Sequence, residues 1–428
     1  MLKLMEELAP LNRVLVSSDY DYAIDVLRTV FDFDVLEYSS ETAHNGWVIP
    51  PKWDVVEAKI IKNGNVILDV QDHVLHVICY SAAFEGRVTL EELKQHLHYD
   101  HRYADAIPYH FRQSYRSWDR DWGFCVTKYF YDSLEPGEYD VVIKTREDQG
   151  ILKVLDYSHA GEYKETFVFV AHLDHPGMAN DDLAGCVVGV ELFKRLLGQK
   201  TKYSYKLVIL QEIIGSEHYL GLMEKEKRST FIEGLFLEML GSTTPLSLQM
   251  SRSRESNFEL MLQKQLDDNH QTYNLGEFGD IIANDEYVFE AYGIPMASLS
   301  RYPYPEYHCS RDNVSIITEA SLEESVDLLQ KLIGSLENTF LVRKKVQGNV
   351  CLTCPGYSDF NLYVDPGQPA FGDLKDEKAQ RLRKLMTFIP LMEKPYTTKV
   401  IAAKLGLPEE DVVSYLKKWE QAGLLTLL

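Results

Sequence analysis

The sequence predicts an α/β protein built on a sheet of buried parallel strands, and three stretches predict it. Phe167-Val168-Phe169-Val170, Leu207-Val208-Ile209-Leu210 and Gly234-Leu235-Phe236-Leu237 are short, continuous apolar runs. Runs of that kind belong to strands covered on both faces. Each ends in residues of similar character: His172 and Asp174, then Gln211 and Glu212, then Glu238. Between the first two runs, Cys186 to Leu197 carries apolar residues at helical spacing, so strand and helix alternate. In open sheets of this class, ligands gather beyond the carboxyl ends of the strands.

At the amino end, Ser17-Ser18-Asp19 predicts the cap of a helix whose apolar face includes Ile24, Leu27 and Phe31. From Trp47 the period shortens to that of strands: Val55 to Ile61, Val66 to Val70, Val74 to Tyr80, Phe124 to Tyr129 and Tyr139 to Thr145. An inserted β-rich domain over 46–149 is therefore expected, splitting a main domain of 1–45 and 150–345. Its middle, His101 to Trp122, concentrates Tyr109, His110, Phe111, Tyr115, Arg116, Trp118 and Trp122. Two readings stand for it, a binding loop and an ordered loop packing on its own domain. His96-x-His98-x-x-His101 matches no defensible ligand spacing and reads as a solvated cluster.

A long amphipathic helix is expected from about Glu319 to near Lys345. Residues 346–371, rich in Gly and Pro, read as a linker or arm. Residues 372–428 then read as a winged-helix-like module with helices Ala379 to Met392, Thr397 to Leu405 and Glu409 to Ala422. Its third helix opens with Glu409-Glu410-Asp411, where a DNA reader would meet phosphate. Residues 381–428 hold eight Lys/Arg against five Asp/Glu, a net of +3. A packing role is expected, with Leu424, Leu425, Leu427 and Leu428 buried against the chain or a second subunit.

The whole chain of 428 residues carries a formal charge of −21, which argues against nucleic acid or anionic membrane as the partner. Met1 to Asn12 has Glu6 and Glu7 and no long apolar stretch, so it does not read as a signal peptide. No run approaches the ~18–20 apolar residues of a membrane span. Six scattered cysteines do not suggest a disulfide framework, and Cys351-x-x-Cys354 reads as a loop because no second pair stands near it. These features point to a cytoplasmic protein.

The richest segment is Ala171-His172-Leu173-Asp174-His175-Pro176-Gly177-Met178-Ala179-Asn180-Asp181-Asp182-Leu183-Ala184-Gly185. Imidazole and carboxylate together at a strand end suggest a metal, and a polar loop capped by Asp181 or Asp182 is the other reading. Glu212, Glu238 and, much later, Tyr307-His308-Cys309-Ser310-Arg311-Asp312-Asn313 repeat the placement past an apolar strand or in a loop. A parallel sheet would bring them to one edge.

That order of residues resembles the zinc-dependent exopeptidases, in the branch of the bacterial leucyl aminopeptidases and glutaminyl cyclases. Their pattern is matched by His172-x-Asp174, Ala179-Asn180-Asp181-Asp182-Leu183-Ala184-Gly185, Gln211-Glu212, Glu238 and Tyr307-His308-Cys309 over roughly residues 150–340. Asp105-Ala106-Ile107-Pro108-Tyr109, Trp122-Gly123-Phe124-Cys125 and Pro305-Glu306-Tyr307-His308 resemble a bacterial aminopeptidase-like family with an inserted domain and a C-terminal winged helix. Members of that family often lie near surface-polysaccharide genes. The resemblance implies a phosphorylase/hydrolase-like core holding one or two zinc ions. It implies His172 and Glu238 on one metal, Glu212 and His308 on the other, Asp181 between them, and Asp174 fixing the His172 ring. His175 would replace His172 as a ligand, or pack, or bind substrate.

One position departs from the pattern. Gln211 stands where the resemblance implies the general base, and an amide has no useful basicity. Three readings follow: Glu212 serves as base in a single-zinc site, Glu217 serves from the next turn, or the protein binds metal and ligand without hydrolysis. On the substrate side, Asp285 or Glu286 would recognise an amine or simply cap a helix. Arg301 would answer a carboxylate or oxyanion, or pair with Glu306, and Tyr307 joins the same side. The expected function is a metal-dependent aminopeptidase-like hydrolase that cleaves an amide next to a free amine through metal-activated water. Its expected partner is a short peptide or amide-bearing small molecule, with homo-oligomerisation open. The competing classes are a non-catalytic metal-binding scaffold and single-zinc acyl-transfer or deacetylase chemistry.

Overall fold

A computed structural model of the chain describes residues 1–116, 118–364 and 377–428. Residues 365–371 of the expected arm and 372–376 of the expected module lie outside the described residues. The centre is a mixed sheet of eight strands: β1 (Asp34–Ser39), β2 (Ile151–His159), β3 (Thr166–His172), β4 (Ser204–Leu210), β5 (Phe231–Glu238), β6 (Leu246–Gln249), β7 (Tyr273–Gly276) and β8 (Met296–Ser300). Their spatial order is β1-β2-β4-β3-β5-β8-β6-β7. Strands β4, β3, β5 and β8 run parallel, and β2 and β6 flank them antiparallel.

The three apolar runs form β4, β3 and β5, three neighbouring strands of that block. Every residue of β3 and β5 is buried, because side chains leave a strand alternately toward two covered faces. Phe167, Phe169 and Ala171 join one core, while Val168 and Val170 join the other. On the first face lie α1 (Ser18–Val30), α2 (Gly185–Leu196), α4 (Asn257–Asp268) and α6 (Glu319–Glu337). On the second lie α3 (Ile214–Gly221), α5 (Asp285–Ala291) and the inserted sheet. Ser17 caps α1 by accepting from the Tyr20 amide, with Ile24, Leu27 and Phe31 buried as their spacing predicts.

The inserted residues form a four-stranded antiparallel sheet from Lys52–Lys62, Asn65–Asp69, Phe84–Thr89 and Glu138–Asp148. Two expected strands are not strands over their full length. Val70–Asp72 and Val74–His76 are single 3-10 turns, the second capped by the His73 ring accepting from the Leu75 amide, and only Phe124–Cys125 pairs in the other segment. Phe84 to Thr89 and the loop to Trp122 supply the remaining packing.

The helix expected to reach Lys345 ends at Glu337, and Leu341–Lys344 is a strand with Leu341 and Val342 buried. That strand is the middle of a three-stranded sheet with Tyr396–Thr397 and Leu425–Leu427 on either side. Helices Glu377–Leu391, Thr398–Leu405 and Glu409–Gln421 pack beside it, and Leu424 and Leu425 are buried. Glu409 accepts from Thr339 Oγ1 at 3.0 Å and Thr398 Oγ1 at 2.8 Å. The acid at the start of the third helix is thus spent on docking the C-terminal residues to the end of α6. No helix among the described residues is long and apolar enough to cross a membrane.

Candidate metal centre

The carboxyl ends of β3, β4 and β5 bring the sequence candidates together. His172 Nε2 lies 3.2 Å from Asp181 Oδ1 and 3.8 Å from Glu238 Oε1. His175 Nδ1 lies 3.0 Å from the same Asp181 oxygen, and His308 Nε2 lies 3.2 Å from Asp181 Oδ2. Three groups of donor atoms lie within 4.8 Å of one another: His172/Asp174/His175, and two sets that meet at one residue, His172/Asp181/Glu238 and His175/Asp181/His308. Asp181 belongs to both, as a bridging carboxylate must. His172 Nε2, His175 Nδ1, His308 Nε2, both Asp181 oxygens and Glu238 Oε2 are buried without a hydrogen-bond partner. Buried polar groups are nearly always paired, so this concentration of unpaired nitrogen and oxygen fits a cation, and N/O donors of this kind suit zinc.

Each inner imidazole has a carboxylate behind it. Asp174 Oδ1 stands 3.5 Å from His172 Nδ1, and Glu212 Oε2 stands 3.3 Å from His175 Nε2. Outer carboxylates in such places orient a ligating histidine; Glu212 makes the hydrogen bond to His175, whereas His172 Nδ1 makes none at its 3.5 Å distance. Burial opposes charge on His172, but Asp174, Asp181 and Glu238 outweigh it and raise its pKa well above the ordinary value. His175 is likewise raised to about 10, with Asp181 overcoming burial. Burial pushes Glu238 upward. Asp181 goes the other way: burial opposes its charge, but His175 and the other imidazoles hold it well below the usual carboxylate range.

The backbone is strained at three places around these groups. Ile213 has φ 59° and ψ −62°, and the Ile214 amide donates back to the Glu212 carbonyl at 2.6 Å. This is the rare positive-φ γ-turn, imposed on a β-branched residue. It is held by Asp174 Oδ1 accepting from the Glu212 amide at 2.8 Å and Asp285 Oδ1 accepting from the Ile213 amide at 2.9 Å. His308 itself has φ 60°, and Met239, directly after Glu238, has φ 56°. Strain of this kind persists where surrounding structure over-determines it, and it clusters at functional sites.

Several residues land elsewhere than the sequence suggested. His175 sits inside the second donor set and is only 2% exposed, which favours the ligand reading over the substrate contact. Glu212 stands beside His175 and belongs to neither donor set. Gln211 is fully buried and donates from Nε2 to the Leu15 carbonyl at 2.9 Å, so its amide is turned into the core instead of standing in for a base. Glu217 accepts from the Tyr292 hydroxyl at 3.1 Å, so the helix does not offer it to the cluster. Arg301 is buried, pairs with Glu324 and donates to the Thr244 carbonyl at 2.8 Å. Its two terminal nitrogens are thus used within the fold, while Nε is buried without a partner.

Asp285 and Glu286 are fully buried, and burial raises them to about 8 and about 7. Asp285 takes the Ser216 hydroxyl and the Ile213 amide, and Glu286 takes Gln249 and the Asn284 amide. Groups so placed brace the site, although Asp285 Oδ2 is buried without a partner. Tyr307 does line the centre, its ring stacked 3.8 Å from that of His308. In the His96 cluster His101 is exposed and His96 and His98 are half-buried; the His96 ring stacks on Trp122 at 3.8 Å, while His98 lies 4.4 Å from His110.

Sequence reasoning missed four supports. Asp312, fully buried, accepts from the amides of Ala179, Asn180 and Asp181 and from the Tyr304 hydroxyl. Arg13, also fully buried, donates to the carbonyls of Leu8, Ala9, Leu173, His175 and Met178. Burial pulls its guanidinium down to about 10, still charged at neutral pH. Asp182 accepts from the amides of His172, Gly185 and Met239, and Asn284 donates to Glu238 Oε1. The signals were present: a lone arginine in the apolar run from Leu11 to Val16, and an acid four residues after His308.

Comparison with known proteins agrees with this geometry. The chain belongs to the family described as Domain of unknown function (DUF4910), which matches residues 2–339. A Clostridium acetobutylicum protein named for polysaccharide biosynthesis and an aminopeptidase-like domain is 29% identical over 340 residues, 78% of this chain and 77% of that protein. A crystal structure described as a peptidase from Clostridium acetobutylicum aligns over 100% of this chain and 96% of that one, with TM-score 0.77 and 25% identity. A zinc aminopeptidase from Bacillus subtilis covers 78% of this chain and 94% of its own, with TM-score 0.58 and 14% identity. A peptidase M28 precursor from Shewanella amazonensis covers 79% and 92%, with TM-score 0.55 and 14% identity. The fold is that of the M28-type aminopeptidases.

Proposed function

We propose that this protein is a metal-dependent hydrolase of the aminopeptidase type, acting on an amide beside a free amine. The observation that carries the reading is the paired donor sets sharing Asp181, with their facing atoms buried and unpartnered. His172, Asp181 and Glu238 would hold one zinc ion, and His175, Asp181 and His308 a second. A bound pair supplies a Lewis acid for a carbonyl and an activated water.

The chain's own residues define the rest. Asp174 and Glu212 keep the His172 and His175 rings turned toward the centre. Among the donor residues and the carboxylates behind them, His308, at 21% side-chain exposure, and Glu212, at 13%, are the ones open to solvent. Substrate therefore enters past these two, under Tyr307 and the inserted Phe111 and Tyr115. The Tyr115 hydroxyl lies 3.5 Å from Glu212 Oε2, and the Phe111 ring 5.4 Å from that of His308. Glu212 is the acid at this mouth and the residue positioned to accept a proton at Oε2. It would do so as a general base of the ordinary kind, a contribution of about 100- to 10,000-fold.

The polysaccharide name of the Clostridium relative supports an amide-bearing sugar intermediate beside short peptides as the substrate. The reading also includes a cytoplasmic location, no nucleic-acid partner, and the 377–428 helices as a packing module. The test is turnover of aminoacyl amides and of N-acetylated sugars by metal-stripped and zinc-loaded protein. Zinc-dependent release of amine that disappears in Glu212→Gln, with metal content retained, is the expected result. Loaded protein inert on both classes would remove the hydrolase reading and leave a metal-binding scaffold.

A further inference from the structure

The two donor sets are supported by different parts of the molecule. Around the first, the main domain supplies the support: Asp182 accepts from the His172 amide, Asn284 donates to Glu238, and the Phe236 ring faces that of His172. Around the second, the inserted residues do the holding. The Tyr109 amide donates to the His308 carbonyl at 3.0 Å, and the Ser310 amide donates to the Ile107 carbonyl at 2.8 Å. The Ile107 amide donates to Ser310 Oγ at 2.9 Å, so a short antiparallel ladder runs through the Pro108–Cys309 bridge.

Ion pairs and rings fasten the same seam. Arg102, itself anchored on Asp100, donates to the Tyr307 carbonyl at 2.7 Å, and Arg311 pairs with Asp105 at 2.7 Å. The Tyr109 ring lies 5.2 Å from that of His308 and 5.0 Å from that of His175. Beyond His175, the loop turns at Gly177 with φ 67°, where a Cβ would stand 2.8 Å from Val74 of the inserted residues. His308 occupies a left-handed conformation, φ 60°, that a non-glycine residue keeps only where its surroundings hold it. Its neighbours on the inserted side are what hold it there.

We infer that the inserted residues 102–111 are a working part of the second metal position, so that metal affinity at His175/Asp181/His308 depends on their docking while His172/Asp181/Glu238 loads without them. The inference rests on the proposed metal reading. Its content is that 102–111 act as a positioning element, setting the His308 imidazole through the backbone that carries it. Loss of outer supports of a metal ligand typically lowers affinity about 10- to 100-fold. Opening this seam falls in that range, and it falls on one position only.

The experiment titrates zinc into metal-stripped full-length protein by calorimetry, with elemental analysis of the loaded product. His308→Ala identifies the second equivalent. The double variant Arg102→Ala/Ser310→Ala removes two clasps without touching a donor atom, and Arg311→Ala removes a third on its own. The unmodified protein is expected to take two equivalents. In the double variant, the first should bind within about twofold of normal, which also reports a folded core, and the second about tenfold or more weakly. Arg311→Ala should shift the same equivalent by a smaller factor. Two unchanged equivalents in both variants overturn the inference, and so does an equal loss at both positions. A double variant that fails to fold leaves Arg311→Ala to decide on the same criterion. Unmodified protein that takes up no zinc defeats the metal reading itself, a result distinct from two-metal protein indifferent to the clasps.

Discussion

Removing Asp312 tests how the bridging carboxylate is held. In Asp312→Ala, three amides and the Tyr304 hydroxyl lose their acceptor, at 3.1, 2.6, 3.1 and 2.6 Å. Each buried donor left unpaired costs at least about 1 kcal/mol, so four together approach ~4 kcal/mol. Part is returned, because burial holds the Asp312 carboxyl up at about 6 and that unfavourable desolvation vanishes with it. The net loss should be on the order of 2–3 kcal/mol. One orphaned amide is that of Asp181, which belongs to both donor sets. Zinc affinity should therefore drop about 10- to 100-fold at both positions together. Urea unfolding of metal-stripped protein reads the first quantity, and chelator competition the second. Asp312→Asn, which keeps one acceptor oxygen, should fall between. An alanine variant that unfolds at the normal urea concentration and binds zinc normally would refute the reasoning.

Gln211→Glu should not create a better enzyme: a carboxylate facing the Leu15 carbonyl in a sealed core should cost about 2–4 kcal/mol or take up a proton, seen as a lower unfolding midpoint without faster turnover. A variant that is stable and faster would return position 211 to the reacting centre. Arg13→Met should leave five carbonyls without their shared donor, lowering stability by about 3–5 kcal/mol, and loosen the loop that carries His175. Preferential loss of the second zinc equivalent checks it, and Arg13→Lys should rescue only partly because one ammonium cannot reach all five. Zinc binding should strengthen as pH rises from about 6.5 toward 10, since His175 is raised to about 10 and must release its proton to ligate. In the metal-free protein the sign reverses. A raised imidazole pKa stabilises fully below about 6.5 and fades as pH climbs through the folded value. Chelator competition across pH 6–9 reads the first effect, and a flat profile would contradict it.

The central strands were legible because both faces are covered and the chain had only apolar residues to offer there. Their terminal acids and histidines followed from the same fact, since side chains beyond a covered strand must answer to each other or to a ligand. Asp181 and Asp182 are adjacent in sequence yet do different work, one facing the imidazoles and the other tying β3 to β5 and α2. Spacing alone offers no means of telling them apart. The roles of Gln211 and Glu212 depended on the direction the chain takes after β4, which the Ile213 γ-turn sets through long-range contacts to Asp174 and Asp285. Arg301 misled because a charge after an apolar strand looks available, whereas Glu324 from α6 reaches it. The aromatic segment from Tyr109 to Tyr115 announced itself by composition. Its partner, the His308 loop, lies about 200 positions away, at the separation of Tyr109 from His308.

The most direct test of the metal reading is anomalous scattering at the zinc edge from crystals of the full chain grown with zinc. Two peaks are predicted, one among His172, Asp181 and Glu238 and one among His175, Asp181 and His308, both lost in Asp181→Ala. A map without density at either position, from crystals in which these side chains are ordered, would contradict the account.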